Sequence, residues 1–236
     1  MNTIRLGRIG GIPVDLDASW FLIFILLSWM LATSSYPAMF TGWPAPLYWL
    51  MGAVTALGLF LSVLLHELGH SLVAFHYKVP VHGITLFLFG GVARLGGEPP
   101  HPLAEFLIAI GGPLVSLALG LLFLGIQPLT ESSEPLQGLI SHLGYINLSL
   151  LVFNLIPGYP LDGGRVLRAL LWVFTRNLGR ATVYAAQAGR VTAALFIGYG
   201  LWRLLSGHNG GAWTMLIGWF LYSIATRTVM AARVDK

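Results

Sequence analysis

The chain has 236 residues, of which 56% are hydrophobic and only 9% are charged. Soluble globular domains carry about 25% charged residues, so this composition excludes an ordinary soluble protein and indicates an integral membrane protein. The formal net charge is +4, but the basic residues are not clustered with aromatic residues, which argues against a nucleic-acid partner. Cysteine is absent from the sequence, which excludes disulfides, thiolate metal ligands and a cysteine nucleophile.

A helix needs about 20 apolar residues to cross the hydrocarbon core of a bilayer. Six segments of the sequence approach or exceed this length, and we therefore expect a single polytopic, all-α transmembrane domain over residues 1–236. The second segment is longer than one crossing requires, and the fourth is broken near 157–160 by two prolines. The predicted spans are approximately 17–33, 47–77, 103–126, 139–174, 183–205 and 212–230.

The second predicted span contains His66-Glu67-Leu68-Gly69-His70, an HExxH pattern inside an unbroken apolar run. Two histidines four residues apart lie on one face of a helix, one turn apart. There both can bind one Zn²⁺, while Glu67 lies near a bound water. The alternative is a pair of hydrogen-bonded helix histidines around a buried glutamate. Ionisable residues are costly at membrane depth and are usually functional, which favours the zinc site.

A short segment between the second and third spans is rich in β-branched and aromatic residues but cannot cross the membrane as a helix. We predict a small membrane-associated β-hairpin at about 81–96, in which Ile84 to Phe89 forms an edge strand and Gly90-Gly91 turns the chain. Such a strand could pair with an extended substrate through main-chain hydrogen bonds; the alternative is a surface loop. The predicted substrate-binding residues of the hairpin are Leu86, Phe87, Leu88, Gly90 and Gly91.

A catalytic zinc site keeps three protein ligands and one open position, so a third ligand must come from elsewhere in the chain. Asp162 is a candidate because it follows a helix interrupted by Pro157 and Pro160, and broken helices commonly build sites at membrane depth. A loop-capping role is the alternative for Asp162. His142 is the main competing ligand, although it lies near the far end of its span.

Two separate motifs resemble those of a known family, the site-2 proteases or M50 intramembrane metalloproteases. They are the HExxH at 66–70 and an N-x-x-P-x-x-x-L-D-G pattern at 154–163. The FGGVARL segment at 89–95 and the pair Gly112-Pro113 are also similar to this family. The resemblance therefore extends over most of the chain.

The resemblance implies that Asp162 completes a site for one zinc ion, that Glu67 is the general base and that Asn154 helps to hold the substrate or the oxyanion. These roles agree with the chemistry of the side chains. A carboxylate can accept and pass on a proton of water, and an amide can donate a hydrogen bond to a developing oxyanion. A helix–helix hydrogen bond is the alternative for Asn154. Asn147, on the same element, is a second candidate substrate contact with the same alternative.

No insertion large enough for a PDZ domain interrupts the predicted spans. In this respect the chain is similar to the family subgroup in which a cytosolic pair of CBS domains follows the last helix. The sequence stops shortly after the sixth predicted span, without the CBS part. It leaves open whether the natural protein is short or continues into such a domain.

Basic residues concentrate on one side of the predicted spans, whereas the loops at 34–46, 127–138 and 206–211 contain none. The positive-inside rule then places both termini in the cytoplasm, as does an even number of spans. Arg203 is an exception that can snorkel to the far interface. The residues that set this orientation are Arg5, Arg8, Lys78, Arg94, Arg165, Arg168, Arg176, Arg180, Arg227, Arg233 and Lys236.

We therefore expect a zinc metalloendopeptidase within the lipid bilayer that cleaves a transmembrane segment of another protein near its cytoplasmic end. The resemblance implies substrates such as anti-sigma factors or other single-pass regulators, and a bacterial inner membrane. A zinc or proton transporter with intramembrane His and Asp ligands is a rival interpretation, but a transporter needs no general base. An inactive homologue is a second rival, against which intact Glu67 and Asp162 argue. A homodimer is one option for the assembly, which the sequence leaves open.

Overall fold

The computed structural model describes residues 3–208 and 210–234, so Lys236 of the predicted cytoplasmic terminus lies outside the described residues. The chain forms two compact units, one of Met1–Glu98 with Gly111–Leu151 and one of Pro99–Ile110 with Val152–Lys236. Strands β1 to β4 are Thr3–Ile9, Ile12–Asp17, Val81–Phe87 and Gly90–Leu95. Helices α1 to α8 are Ser19–Met30, Tyr36–Met39, Ala45–His76, Pro102–Ile126, Glu134–Asn154, Asp162–Thr175, Leu178–Leu205 and Gly211–Val234.

A four-stranded sheet in the order β1-β2-β3-β4 belongs to the first unit. β1 and β2 form an antiparallel hairpin whose turn uses Gly10 and Gly11, with φ of 57° and 85°, a left-handed conformation that favours glycine. β2 then pairs in parallel with β3, which places Leu16 opposite Leu86. β3 and β4 form the second antiparallel hairpin. The predicted hairpin is thus half of a larger sheet.

β3 lies in the interior of this sheet, because β2 is bonded to one side of it and β4 to the other. The prediction that Ile84 to Phe89 forms an edge strand is therefore wrong. Leu86 is buried, and the N–H of Leu88 donates to the Ser19 hydroxyl at 3.1 Å; a substrate contact by Leu86, Phe87 or Leu88 stays a prediction. The edges of the sheet are β1 and β4, and of the predicted substrate-binding residues only Gly90 and Gly91 lie on an edge strand.

One face of the sheet packs against α1 and α3. Asp17, at the end of β2, accepts hydrogen bonds from the Ser19 hydroxyl at 2.6 Å and the Ser19 N–H at 3.0 Å, which lowers the pKa of that carboxyl and directs the chain into α1. The apolar cluster between sheet and helices positions the second half of α3 beside β3 and β4. Its buried members are Ile12, Leu16, Trp20, Ile23, Phe60, Val63, Ile84 and Leu86.

The second unit is built around the antiparallel neighbours α7 and α8, with α6 packed on α7. Glycines allow α7 and α8 to approach closely: a Cβ at Gly200 would lie 2.7 Å from the carbonyl oxygen of Gly211. Arg190, inside α7, donates to the hydroxyl of Tyr222 on α8 at 3.0 Å, and its guanidinium lies 5.3 Å from the centre of that ring. The hydrogen bond and the ring contact give the guanidinium of Arg190 a partner on the neighbouring helix.

Five helical segments of the described residues are long and apolar enough to cross a membrane, judged by length and composition. With the apolar composition they make this chain an integral membrane protein. The predicted count of six spans is not confirmed, because α7 is not among the five; Gln187 and Arg190 lower the hydropathy of its middle. The five segments are Ser19–Met39, Ala45–His76, Pro102–Thr130, Glu134–Asn154 and Gly211–Ala232.

Candidate metal centre

His66 and His70 lie on one face of α3 with their rings directed toward each other. Both side chains are buried, and their Nε2 atoms are 3.2 Å apart. Two nitrogens bound to one tetrahedral Zn²⁺ at about 2.0–2.1 Å are separated by roughly 3.3 Å. The spacing of the two histidines therefore fits a shared metal ion.

Helix α4 approaches these histidines closely because glycines occupy the positions where it meets α3. A Cβ at Gly69 would lie 2.6 Å from the carbonyl oxygen of Gly111, and a Cβ at Gly111 would lie 2.8 Å from that of Gly69. Gly112 then faces the two rings, and a Cβ there would fall under 3.0 Å from the Nε2 atoms of both His66 and His70. The absence of a side chain at Gly112 keeps open the space that a metal ion needs.

Ser116, one turn further along α4, fixes the ring of His66. Its Oγ lies 2.8 Å from His66 Nδ1, and both side chains are buried. The N–H of Gly112 donates to His70 Nδ1 at 3.3 Å, so α4 contacts both rings. Histidines that bind metals usually donate the N–H of the other ring nitrogen, which sets their orientation; Ser116 can accept such a bond from His66, whereas the N–H of Gly112 is a donor to His70. In His66 the contact with Ser116 directs Nε2 toward His70.

Glu67 lies between the two histidines in sequence and beside the edge strand β4 in space. Its Oε2 accepts a hydrogen bond from the N–H of Ala93 at 3.1 Å. A Cβ at Gly91 would lie 2.7 Å from Glu67 Cγ, so glycine at this position makes room for the glutamate. A carboxylate on an apolar helix needs a donor to offset its lost hydration, and β4 supplies one.

Asn147, predicted as a substrate contact, is fully buried within the first unit. Its Nδ2 donates to the Ser62 hydroxyl of α3 at 2.9 Å and to the carbonyl oxygen of Leu143 at 2.8 Å. The bond to Ser62 joins α5 to α3, which is the helix–helix role given above as the alternative, whereas Leu143 lies on α5 itself. A substrate contact by Asn147 stays a prediction.

Asp162, which begins α6, follows a loop that is fixed against α7 within the second unit. The N–H of Tyr159 donates to the carbonyl oxygen of Ala185 at 3.2 Å. A Cβ at Gly189 would overlap the carbonyl oxygen of Tyr159, so only glycine lets the loop lie on α7. Asp162 itself is buried, and Asn154, the last residue of α5, is half-buried. The loop therefore holds Asp162 at the N-terminal end of α6.

Among the described residues, a set of side chains that could hold a metal ion consists of His66, His70 and Asp162. His142, the competing candidate, is not part of this set; its Nδ1 lies 2.8 Å from the carbonyl oxygen of Gly138. Two imidazoles and one carboxylate are a donor combination of catalytic zinc sites. Nothing in the sequence signals Ser116, and Gly112 is indicated there only as part of the Gly112-Pro113 pair, without its place beside the two histidines.

The chain belongs to peptidase family M50, whose family model matches residues 54–133 and 129–197. It is also similar to a solved structure, the site-2 protease from Methanocaldococcus jannaschii, with a TM-score of 0.68 and 34% sequence identity. That similarity covers 97% of this chain and 95% of the other. The resemblance seen in the two sequence motifs is confirmed.

Two relatives show greater sequence identity. A protein of Synechocystis that is named a zinc metalloprotease is 44% identical over 100% of this chain and 62% of its own length. The zinc metalloprotease Rip3 of Mycobacterium tuberculosis is 43% identical over 95% of this chain and 58% of its own length. The chain thus spans about three fifths of the length of these relatives.

Proposed function

We propose that this chain is an intramembrane zinc metalloendopeptidase of the site-2 protease type. The observation that carries the proposal is the pair of buried histidines on α3, whose Nε2 atoms are 3.2 Å apart, with Glu67 between them on a helix of membrane-spanning length and composition. The names of the relatives from Synechocystis and Mycobacterium tuberculosis support zinc and proteolysis. A zinc or proton transporter is not favoured by these relatives.

We propose His66, His70 and Asp162 as the ligands of one zinc ion per chain. The donor set supports this assignment, because its three residues contribute one ligand atom each and leave the fourth position of a tetrahedral ion open. The space beside Gly112 supports it as well, since a residue larger than glycine would fill the room beside both Nε2 atoms.

Bound zinc supplies Lewis acidity, which activates water and polarises a peptide carbonyl. In the proposed reaction Glu67 accepts the proton of the attacking water and passes it to the leaving amine. The Ala93 N–H holds the Glu67 carboxylate beside the metal ligands before reaction. The amide of Asn154 donates to the developing oxyanion. Ser116 keeps the His66 ring in place throughout.

The proposed substrate is a single-pass membrane protein, such as an anti-sigma factor, cut within or near the cytoplasmic end of its transmembrane segment. A peptide bond inside a helix is shielded by helical hydrogen bonds, so the segment must become extended before attack. β4 is the strand with which it pairs, because its outer edge faces away from β3 and contacts Glu67 through Ala93. This replaces Ile84 to Phe89 as the pairing strand.

We propose the bacterial inner membrane as the location, with both termini in the cytoplasm. The one-sided distribution of Lys and Arg supports this orientation. His70 lies six residues before the end of α3 at His76, roughly 9 Å of helical rise, and Lys78 follows two residues later, so the metal site lies nearer the cytoplasmic face.

The test is Glu67→Gln, which keeps the size of the side chain and its ability to accept from Ala93 but removes the general base. We expect zinc content to stay at one per chain and cleavage of a single-pass substrate to fall by about 10²- to 10⁴-fold. The measurements are metal content of the purified protein and product formation in lipid vesicles. Undiminished cleavage would refute the role of Glu67, and zinc flux without any cleavage by the unaltered protein would favour a transporter.

A further inference from the structure

Glu105 is a fully buried carboxylate on the first turn of α4, where it faces two arginines of α6. Arg165 donates to it from Nε at 3.2 Å and from Nη2 at 3.1 Å, one bond to each carboxylate oxygen. Arg168 donates from Nε at 3.0 Å and from Nη2 at 2.6 Å, both to Oε1. The exposed fractions of the side chains are 0% for Glu105, 15% for Arg165 and 7% for Arg168. Four charge-assisted hydrogen bonds therefore converge on one carboxylate.

Helix α6, which carries Arg165 and Arg168, begins with Asp162, the proposed third metal ligand. Arg165 follows Asp162 by three residues, a spacing that places two side chains on the same helix face, and their charges interact. Arg168 follows Asp162 by six residues, which places it on another face. Arg165 thus lies near two carboxylates, those of Asp162 and Glu105. Its Nε and Nη2 both donate to Glu105.

A guanidinium competes with a metal ion for a carboxylate. A bidentate arginine pair uses the oxygen lone pairs that would otherwise bind the ion, and it places a positive charge beside the cation site. A metal ligand three residues from an arginine therefore benefits from a second carboxylate that takes up the arginine. Glu105 has the position, the burial and the bidentate geometry for this task.

We propose that Glu105 is a positioning residue: it holds the guanidinium of Arg165 in a bidentate pair and so keeps the carboxylate of Asp162 available to the metal ion. This inference rests on the proposed ligation by Asp162. It differs from a purely structural role for Glu105, in which the glutamate only neutralises buried positive charge. In that role Arg165 and Arg168 would be equivalent.

The experiment compares Glu105→Gln with two double variants in full-length protein, with zinc affinity measured by competition against a chelating dye. We expect Glu105→Gln to weaken zinc binding by about 10- to 100-fold, as changes of outer-shell partners do. Adding Arg165→Met removes the competing guanidinium and should restore the affinity to within about threefold. Adding Arg168→Met is the matched control: it removes the same charge from the same buried cluster but should restore nothing.

Unchanged zinc affinity in Glu105→Gln, or equal recovery in the two double variants, would overturn the inference. Asp162→Ala separates this result from the proposed function. If Asp162→Ala binds zinc normally, the ligand assignment fails and the inference fails with it; if Asp162→Ala loses zinc while Glu105→Gln keeps it, only the role of Glu105 is refuted.

Loss of a partner from a buried ion pair can prevent folding, so Arg165→Met alone provides a second measurement. We expect this variant to bind zinc as tightly as the unaltered protein or more tightly, because no guanidinium then competes for Asp162. A tenfold or greater loss of affinity in folded Arg165→Met would mean that Arg165 assists the site, which contradicts the proposal.

Discussion

Gly112 occupies the position on α4 where any larger side chain would meet both His66 and His70. We predict that Gly112→Ala abolishes metal binding while the helix remains folded. Alanine is the better helix former by about 1 kcal/mol, so the substitution should stabilise the helix itself. Its methyl group, however, fills the space beside the two Nε2 atoms. Zinc affinity should fall by more than the roughly 10- to 100-fold typical of outer-shell changes, as measured by competition with a chelator.

The control for this prediction lies in the same helix. A Cβ at Gly125 would meet no atom within 4 Å, so Gly125→Ala makes the same chemical change in open space and should leave zinc affinity unaltered. Equal zinc affinity in the two variants would show that the ion does not bind opposite Gly112.

The residues proposed to bind zinc and to act as the base were predicted from the sequence, whereas the contacts that Ser116 and Gly112 make with the histidines were not. His66, Glu67 and His70 can be recognised in the sequence because their fixed spacing on a helix sets their geometry. Ser116 and Gly112 act on them only because α3 and α4 meet backbone to backbone at glycines. That contact is a property of tertiary packing, and no local pattern in α4 reveals which serine or glycine faces a histidine.

At the scale of elements, β4 offers the open edge nearest to Glu67. The N–H of Gly96 is bonded to the carbonyl oxygen of Pro80 and that of Ala93 points outward to Glu67, so by alternation the N–H of Leu95 also points outward. We predict that Leu95→Pro, which removes this donor, reduces substrate turnover about fivefold, since one backbone hydrogen bond contributes about 1 kcal/mol. Cleavage of a single-pass substrate in vesicles measures the effect.

Leu95→Ala is the matched variant, because it shortens the same side chain but retains the N–H. It should cleave at nearly the normal rate, and both variants should keep one zinc per chain. If Leu95→Pro and Leu95→Ala cleave equally well, the substrate does not pair with the end of β4, and the metal chemistry is unaffected by that result.

The sheet shows where element-level prediction from sequence fails. The hairpin of β3 and β4 joins strands that are neighbours in the sequence. Its β-branched and aromatic residues and its glycine pair are therefore enough to predict it. The pairing of β2 with β3 joins segments on either side of α1 and α3, and the exposed strand β1 lacks a buried alternating face. Neither feature has a local signal. The sequence therefore predicted an edge strand at a position that β2 covers.

At the scale of the whole molecule, α7 is the predicted span that is not among the five apolar segments, and it has charged residues inside it. Arg190 lies near the middle of α7, inside a predicted span and not in a basic loop at its end. Its hydrogen bond to Tyr222 at 3.0 Å gives the charge a partner on α8, which is how arginines are accommodated among apolar helices. Such a pair depends on two helices and cannot be read from either one.

The orientation of the chain in the membrane can be tested by labelling single introduced cysteines, because the sequence contains no cysteine of its own. Ser132 is exposed and lies in a segment without Lys or Arg, whereas Gly97 is exposed near Arg94. Because basic loops stay in the cytoplasm, Ser132→Cys should react with an impermeant thiol reagent in intact cells, and Gly97→Cys only after lysis. A Cβ at Gly97 would meet nothing within 4 Å, so the control cysteine does not disturb the fold. The opposite labelling pattern would invert the topology and place the metal site toward the outer face, where a substrate would have to be cut near its extracytoplasmic end.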